Sequence, residues 1–227
     1  MRLHIFAALF LSILSRTGFG QQSVSFPVPG RADRVEADLY GRGAKYVILA
    51  HGGRFAKESW KKQAERLAGE GFTVLAVRYR GDTVNPDGSP NAAGSNLDNA
   101  EDVIAAVTYS YRSGAGSVFA VGGSLGGDAV GEAETRLRPG RISRIVILGA
   151  SGGSVPQKLN GRKLFIVSRN DRSASGPRLP EIRKHFERVP EPKKLVIVDG
   201  SAHAQLLFDT DQGPKVMEQI IRFFEEP

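Results

Sequence analysis

Residues 117–126 read Ser-Val-Phe-Ala-Val-Gly-Gly-Ser-Leu-Gly, a short β-branched and aromatic run that breaks into glycines around one serine. The run has strand composition. Asp128 to Leu137, just beyond it, is rich in Ala, Glu and Arg and reads as a helix. A serine on so sharp a strand-to-helix turn needs small flanking residues, because the backbone is strained and strand and helix approach closely. Gly122 and Gly126 meet that demand. The start of a helix also leaves backbone N–H groups without intrahelical acceptors, free to hold a developing oxyanion.

Similar runs recur on both sides: Tyr46–Ala50, Thr73–Tyr79, Ile145–Gly149, Leu164–Ser168 and Leu195–Asp199. Runs without polar alternation belong to strands covered on both faces, so the spacing predicts an α/β fold with a mostly parallel central sheet and helices on each side. Expected helices are Lys57 to Ala68, a stretch up to Tyr111 opened by a capping box of Ser95 with Asp98, Arg178 to Arg188, and a last one from Pro214 to Phe224. Ahead of them, Val24 to Val28 and Val35 to Leu39 alternate around Pro29-Gly30-Arg31-Ala32-Asp33, which predicts an N-terminal antiparallel hairpin. About a dozen residues separate the strands near Gly149 and Lys163, too few for a helical cap, so no cap domain is expected. Gly81 to Gly94, rich in Asp, Asn, Pro and Gly, is the one loose segment and a candidate rim of the substrate site.

Residues 1–20 carry Arg2 and His4, then the apolar run Ile5 to Leu14, then Gly18-Phe19-Gly20. This pattern predicts a secretory signal peptide and leaves 21–227 as one domain, secreted or periplasmic. The apolar run is too short for a bilayer-spanning helix, so no stable membrane insertion of the mature chain is expected. Without cysteine, the chain gives no reading of redox compartment. The whole chain has 31 basic and 24 acidic residues. Removing Arg2 and Arg16 leaves 29 against 24, scattered singly, and no nucleic-acid partner is implied.

A serine hydroxyl is a poor nucleophile near neutral pH and needs a base. Of four histidines, His4 falls in the leader and His185 in a polar helical stretch, leaving His51 and His203. His203 lies in Asp199-Gly-Ser-Ala-His, past the carboxyl end of the last strand, where open α/β sheets place their sites; it is the expected base. Asp171, past the end of the strand Leu164–Ser168, is the expected carboxylate partner, with Asp199 as competitor. Ser124, Asp171 and His203 would then form the triad, with oxyanion donors at the N–H of Leu125 and in the loop His51-Gly52-Gly53-Arg54-Phe55. There Gly53 is the expected second donor, Arg54 and Phe55 are expected substrate contacts, and His51 is expected to order the loop. Arg54 and Arg172 suggest selection of an anionic substrate.

Ala50-His51-Gly52-Gly53 with Ser59-Trp60 downstream, then Gly122-Gly123-Ser124-Leu125-Gly126, then Asp171 and His203, resembles the α/β-hydrolase superfamily across nearly the whole chain after the leader. The missing cap makes it similar to the compact esterase, thioesterase and dienelactone-hydrolase-like branch, whose dienelactone hydrolases usually carry Cys where this chain has Ser124. The resemblance implies a serine hydrolase acting on a small-molecule ester, with no metal or organic cofactor. A thioesterase, a peptidase, or an inactive hydrolase fold used for binding stay open, as do acyl specificity and oligomeric state. A phosphate-binding loop is excluded, since Gly122 to Gly127 lacks the Gly-x-Gly-x-x-Gly spacing.

Overall fold

The computed structural model describes residues 20–92 and 98–226; all of the expected leader but Gly20, and Ser95, lie outside them. Eight strands form one sheet: β1 (Gln22–Pro27), β2 (Arg34–Tyr40), β3 (Lys45–Ala50), β4 (Thr73–Arg78), β5 (Ser117–Gly123), β6 (Arg144–Leu148), β7 (Arg162–Ser168) and β8 (Lys193–Val198). Their order across the sheet is β1-β2-β4-β3-β5-β6-β7-β8. β1 and β2 form the expected antiparallel hairpin, and β2 also joins β4 antiparallel; every other pairing is parallel.

Burial on both faces follows from the uninterrupted apolar runs. Alternate residues of one strand enter opposite cores, so Val47 and Leu49 face one side of the sheet while Ile48 and Ala50 face the other. The first core is closed by α1 (Lys61–Gly69) and α5 (Gly213–Glu225) and is aromatic: Phe224 stacks on Phe119 with centroids 4.9 Å apart and meets Phe72 edge-on. The second is closed by α2 (Asn99–Arg112), α3 (Leu125–Arg136) and α4 (Leu179–Arg188) and is mostly aliphatic. Each large apolar side chain buried this way contributes about 1.5–3 kcal/mol.

Three local expectations are corrected. The helix from Lys57 is split, a 3-10 turn over Lys57–Trp60 preceding α1, with Trp60 fully buried at the junction. The N-cap of α2 is Asp98, whose carboxylate accepts the Ala100 N–H at 3.0 Å, so no box with Ser95 is needed to start the helix. The loose segment after β4 contains a two-residue ribbon, Thr83–Val84 against Pro90–Asn91, and its Ala92 N–H donates to Gly53 O at 3.0 Å, which lays it against the loop after β3.

Just past the carboxyl end of β4, Arg80, with its side chain only 5% exposed, ties the hairpin turn to α2 by pairing with Asp33, Glu101 and the buried Asp102. Between β6 and β7 lies only a 3-10 turn, Pro156–Lys158, so among the described residues no helical cap is inserted at that connection.

Candidate active site

Ser124 sits where β5 ends and α3 begins, with φ +52° and ψ −119°, a left-handed conformation that L-residues rarely adopt. Its N–H donates to Leu148 O on β6 at 2.9 Å, and its own carbonyl accepts the Gly127 N–H at 2.8 Å, so the turn is held from both sides. The flanking glycines are sterically required. A Cβ on Gly122 would stand 2.2 Å from Gly126 O, and one on Gly126 would stand 2.1 Å from Ala50 O. Strand, helix and the end of β3 therefore touch backbone to backbone beneath the serine.

His203 reaches the same point from the loop after β8. Its Nε2 lies 2.8 Å from Ser124 Oγ and its Nδ1 lies 2.8 Å from Asp171 Oδ2, so the three side chains form one unbroken hydrogen-bonded line. Asp171 is 1% exposed and His203 about a quarter exposed. The loops bearing them are sewn together: Arg169 N–H donates to Val198 O, Asn170 N–H to Gly200 O, and the Ser168 hydroxyl to Ala202 O at 2.6 Å. The competing carboxylate, Asp199, is 80% exposed and pairs instead with Arg169. Gly149, at the end of β6 with φ +59°, leaves room for the pair, since a Cβ there would stand 3.1 Å from His203 Nδ1 and 3.2 Å from Asp171 Oδ2.

The start of α3 and the loop after β3 meet at the serine turn, where a Cβ on Gly52 would stand 3.2 Å from Gly123 O. Leu125 opens α3, where a helix has no acceptor for its first donors. The loop His51–Phe55 follows β3, and its first residue is fully buried. His51 Nδ1 lies 3.0 Å from Gly52 O and Nε2 lies 3.2 Å from Asp82 Oδ2, while Tyr79 Oη donates to His51 O. Burial pushes the Tyr79 hydroxyl well above its ordinary range, which keeps its proton available for that bond. The Gly52 N–H donates to Gln205 Oε1 at 2.6 Å. That bond occupies the Gly52 donor, and the Phe55 N–H donates to Gly52 O at 3.0 Å, which leaves Gly53 and Arg54 as the loop residues between them.

A cavity of about 130 Å³ opens against Ser124, lined by Asp128, Gly149, Ala150, Ser151, Arg178, Glu181 and Ile182. Arg54, Phe55 and Arg172 are not among its lining residues. Arg172 instead enters a two-residue ribbon with Gly176–Pro177, which carries its side chain into solvent. The guanidinium at the cavity is that of Arg178, whose Nε lies 3.5 Å from Asp171 Oδ1. From the sequence, Asp128 is expected only as the start of the helix after Ser124. It lies one helical turn past Ser124, and its Oδ1 accepts the N–H groups of Gly152 and Gly153 at 2.9 and 3.0 Å. Among the described residues, no group of three or more His, Asp or Glu is placed to hold a metal ion.

Residues 47–218 match the alpha/beta hydrolase family. Solved structures with the same fold include a dienelactone hydrolase from Anabaena variabilis, 19% identical with a TM-score of 0.70, covering 92% of this chain and 98% of that one. An esterase from a Rhodococcus species is 14% identical with a TM-score of 0.68, covering 92% and 99%. An esterase from Exiguobacterium antarcticum is 14% identical with a TM-score of 0.67, covering 85% and 96%. Likeness at this identity speaks for the fold alone. Curated protein sequences give no significant match.

Proposed function

Since the chain belongs to the alpha/beta hydrolase family, we propose that it is a serine hydrolase that cleaves carboxylic esters of small molecules through an acyl-enzyme on Ser124. The observation that carries this reading is the line from Ser124 Oγ through His203 to Asp171, with both links at 2.8 Å. In it the hydroxyl attacks the ester carbonyl carbon while His203 Nε2 takes its proton. Asp171, buried and in contact with Nδ1, holds the imidazole in the required tautomer and stabilises the imidazolium that forms. The carbonyl oxygen, now an oxyanion, receives the N–H groups of Leu125 and Gly53. Collapse breaks the C–O bond to the alcohol, which leaves with the proton from His203. Water, deprotonated by the same imidazole, then releases the carboxylic acid and restores Ser124.

The open edge and small cavity suit a short acyl group, with Arg54 and Phe55 as the rim on the oxyanion side. The leader-like residues 1–20 support export, with Gln21 at the mature N-terminus, which N-terminal sequencing of the secreted protein checks. The activity is tested by turnover of p-nitrophenyl acetate and butyrate and by labelling with a fluorophosphonate. Wild type turns over and is labelled on Ser124, and Ser124→Ala does neither. Absence of both in the folded wild type overturns the reading.

A further inference from the structure

We propose that Gln205 is a positioning residue for the oxyanion-binding loop, tying it to the segment that carries the base; this rests on the serine-hydrolase reading above. Gln205 lies two residues past His203, in a 3-10 turn over Ala204–Asp209, and is 5% exposed. Both ends of its amide are used. Oε1 accepts the Gly52 N–H at 2.6 Å, and Nε2 donates to Ser59 Oγ at 2.7 Å, while the Ser59 hydroxyl donates its own proton to Ala56 O at 2.6 Å. The hydroxyl thus serves as acceptor and donor at once, which fixes the direction of the chain of bonds. This chain spans the loop after β3 from Gly52 to Ser59.

The same side chain touches the nucleophile's strand. A Cβ on Gly123 would stand 3.1 Å from both Cγ and Oε1 of Gln205, and a Cβ on Gly52 would stand 3.3 Å from Oε1. The amide is therefore wedged between the last residue of β5 and the first glycine of the oxyanion loop. Ala204 carries the chain between the two functional side chains in a left-handed conformation, φ +48°. One reversal sends His203 toward Ser124 and Asp171, and Gln205 toward Gly52. Because donors to an oxyanion act through being fixed before the charge develops, a bond that fixes Gly52 sets the aim of the adjacent Gly53 N–H. Without it a buried N–H loses its acceptor, and the loop must move to satisfy it.

The test compares wild type, Q205M and S59A. Methionine fills the space against Gly123 but neither accepts from Gly52 nor donates to Ser59. For Q205M, kcat toward p-nitrophenyl acetate should fall about 10-fold with KM nearly unchanged, and affinity for phenylboronic acid, which forms a tetrahedral adduct on the serine, should fall by a similar factor. The pH midpoint of kcat/KM should not move, because His203 keeps both its partners. S59A, a change at an exposed serine, should show about a threefold effect of the same kind by loosening the far end of the amide. Full kcat and boronate affinity in folded Q205M, or a loss that comes with a displaced pH midpoint, overturns the proposal. If Q205M does not fold, S59A decides by the same measurements. A wild type that is neither labelled on Ser124 nor active on esters overturns the hydrolase reading and this role together. A labelled, active wild type beside an equally active Q205M overturns only the role of Gln205.

Discussion

The two flanks of Ser124 are built from different material. Toward His203 the groups are side chains whose chemical identity matters, and they are presented by strand ends that hydrogen-bond to each other directly. Toward His51 the groups of the proposed mechanism are backbone N–H, and what holds their loop is a set of buried or largely buried polar side chains, His51, Tyr79, Asp82 and Gln205, drawn from three separate stretches of the chain. Damage on the first flank removes chemistry. On the second, it removes alignment and leaves the chemistry in place. The two kinds of loss separate in kinetics: the first lowers the rate by orders of magnitude or shifts its pH dependence, while the second lowers kcat modestly at an unchanged pH midpoint.

The largest expected effect after loss of the nucleophile itself lies on the first flank. Asp171→Asn keeps the shape at a buried position but offers Nδ1 of His203 an amide that neither fixes the tautomer nor offsets the imidazolium charge. Its kcat for a p-nitrophenyl ester should fall about 10³- to 10⁴-fold, with slowed fluorophosphonate labelling. A fall of only a few-fold would mean that the carboxylate merely props the ring, and the contrast between the flanks would fail.

A smaller effect is expected at His51, the other histidine near the site. His51→Ala strips Asp82 and the Gly52 carbonyl of a buried partner, so unfolding should become easier by about 1–3 kcal/mol in urea titration. Loss of loop alignment should cost kcat about 10-fold, with the pH midpoint of kcat/KM unmoved, because the ring lies in the loop and not in the proton path. A His51→Ala variant as inactive as Asp171→Asn would place proton chemistry on the second flank.

The same difference decides what could be read from the sequence. Ser124, Asp171 and His203 could be read as a set because each stands past the carboxyl end of an apolar run, the serine between glycines and the histidine one of only four in the chain. The sheet was legible for a related reason, since strands buried on both faces leave unbroken apolar stretches such as Thr73–Arg78. The holders were not. Gln205 contacts Gly52 across 153 residues, and no local pattern marks a glutamine whose partner is a distant backbone N–H. The one available signal was its place two residues after His203. Ribbons of two residues, such as Arg172–Ser173 with Gly176–Pro177, are too short to show any alternation, and so Arg172 was expected at the mouth when the turn carries it away.

The smallest effect concerns the floor beneath both flanks, where Asp128 pins Gly152 and Gly153 behind the cavity. Burial is the strongest influence on this carboxyl and raises it above the ordinary range of about 3.8, outweighing the two N–H bonds, that of Ser151 and the nearby His185. The native protein therefore holds this proton more tightly than the unfolded chain does. As pH climbs from the ordinary carboxylate range through the raised value, the unfolded state gives up its proton first, and the charged carboxylate then costs the native state stability. Asp128→Asn keeps an oxygen to accept both N–H groups and has nothing to titrate. The stability of wild type minus that of Asp128→Asn, from urea midpoints at successive pH values, should fall across that window and level off above it. Subtracting the variant cancels the titrating groups that do not interact with Asp128. A difference that rises with pH instead would mean that the two backbone donors outweigh burial, and the floor would then be held by a carboxylate stabilised in its charged form.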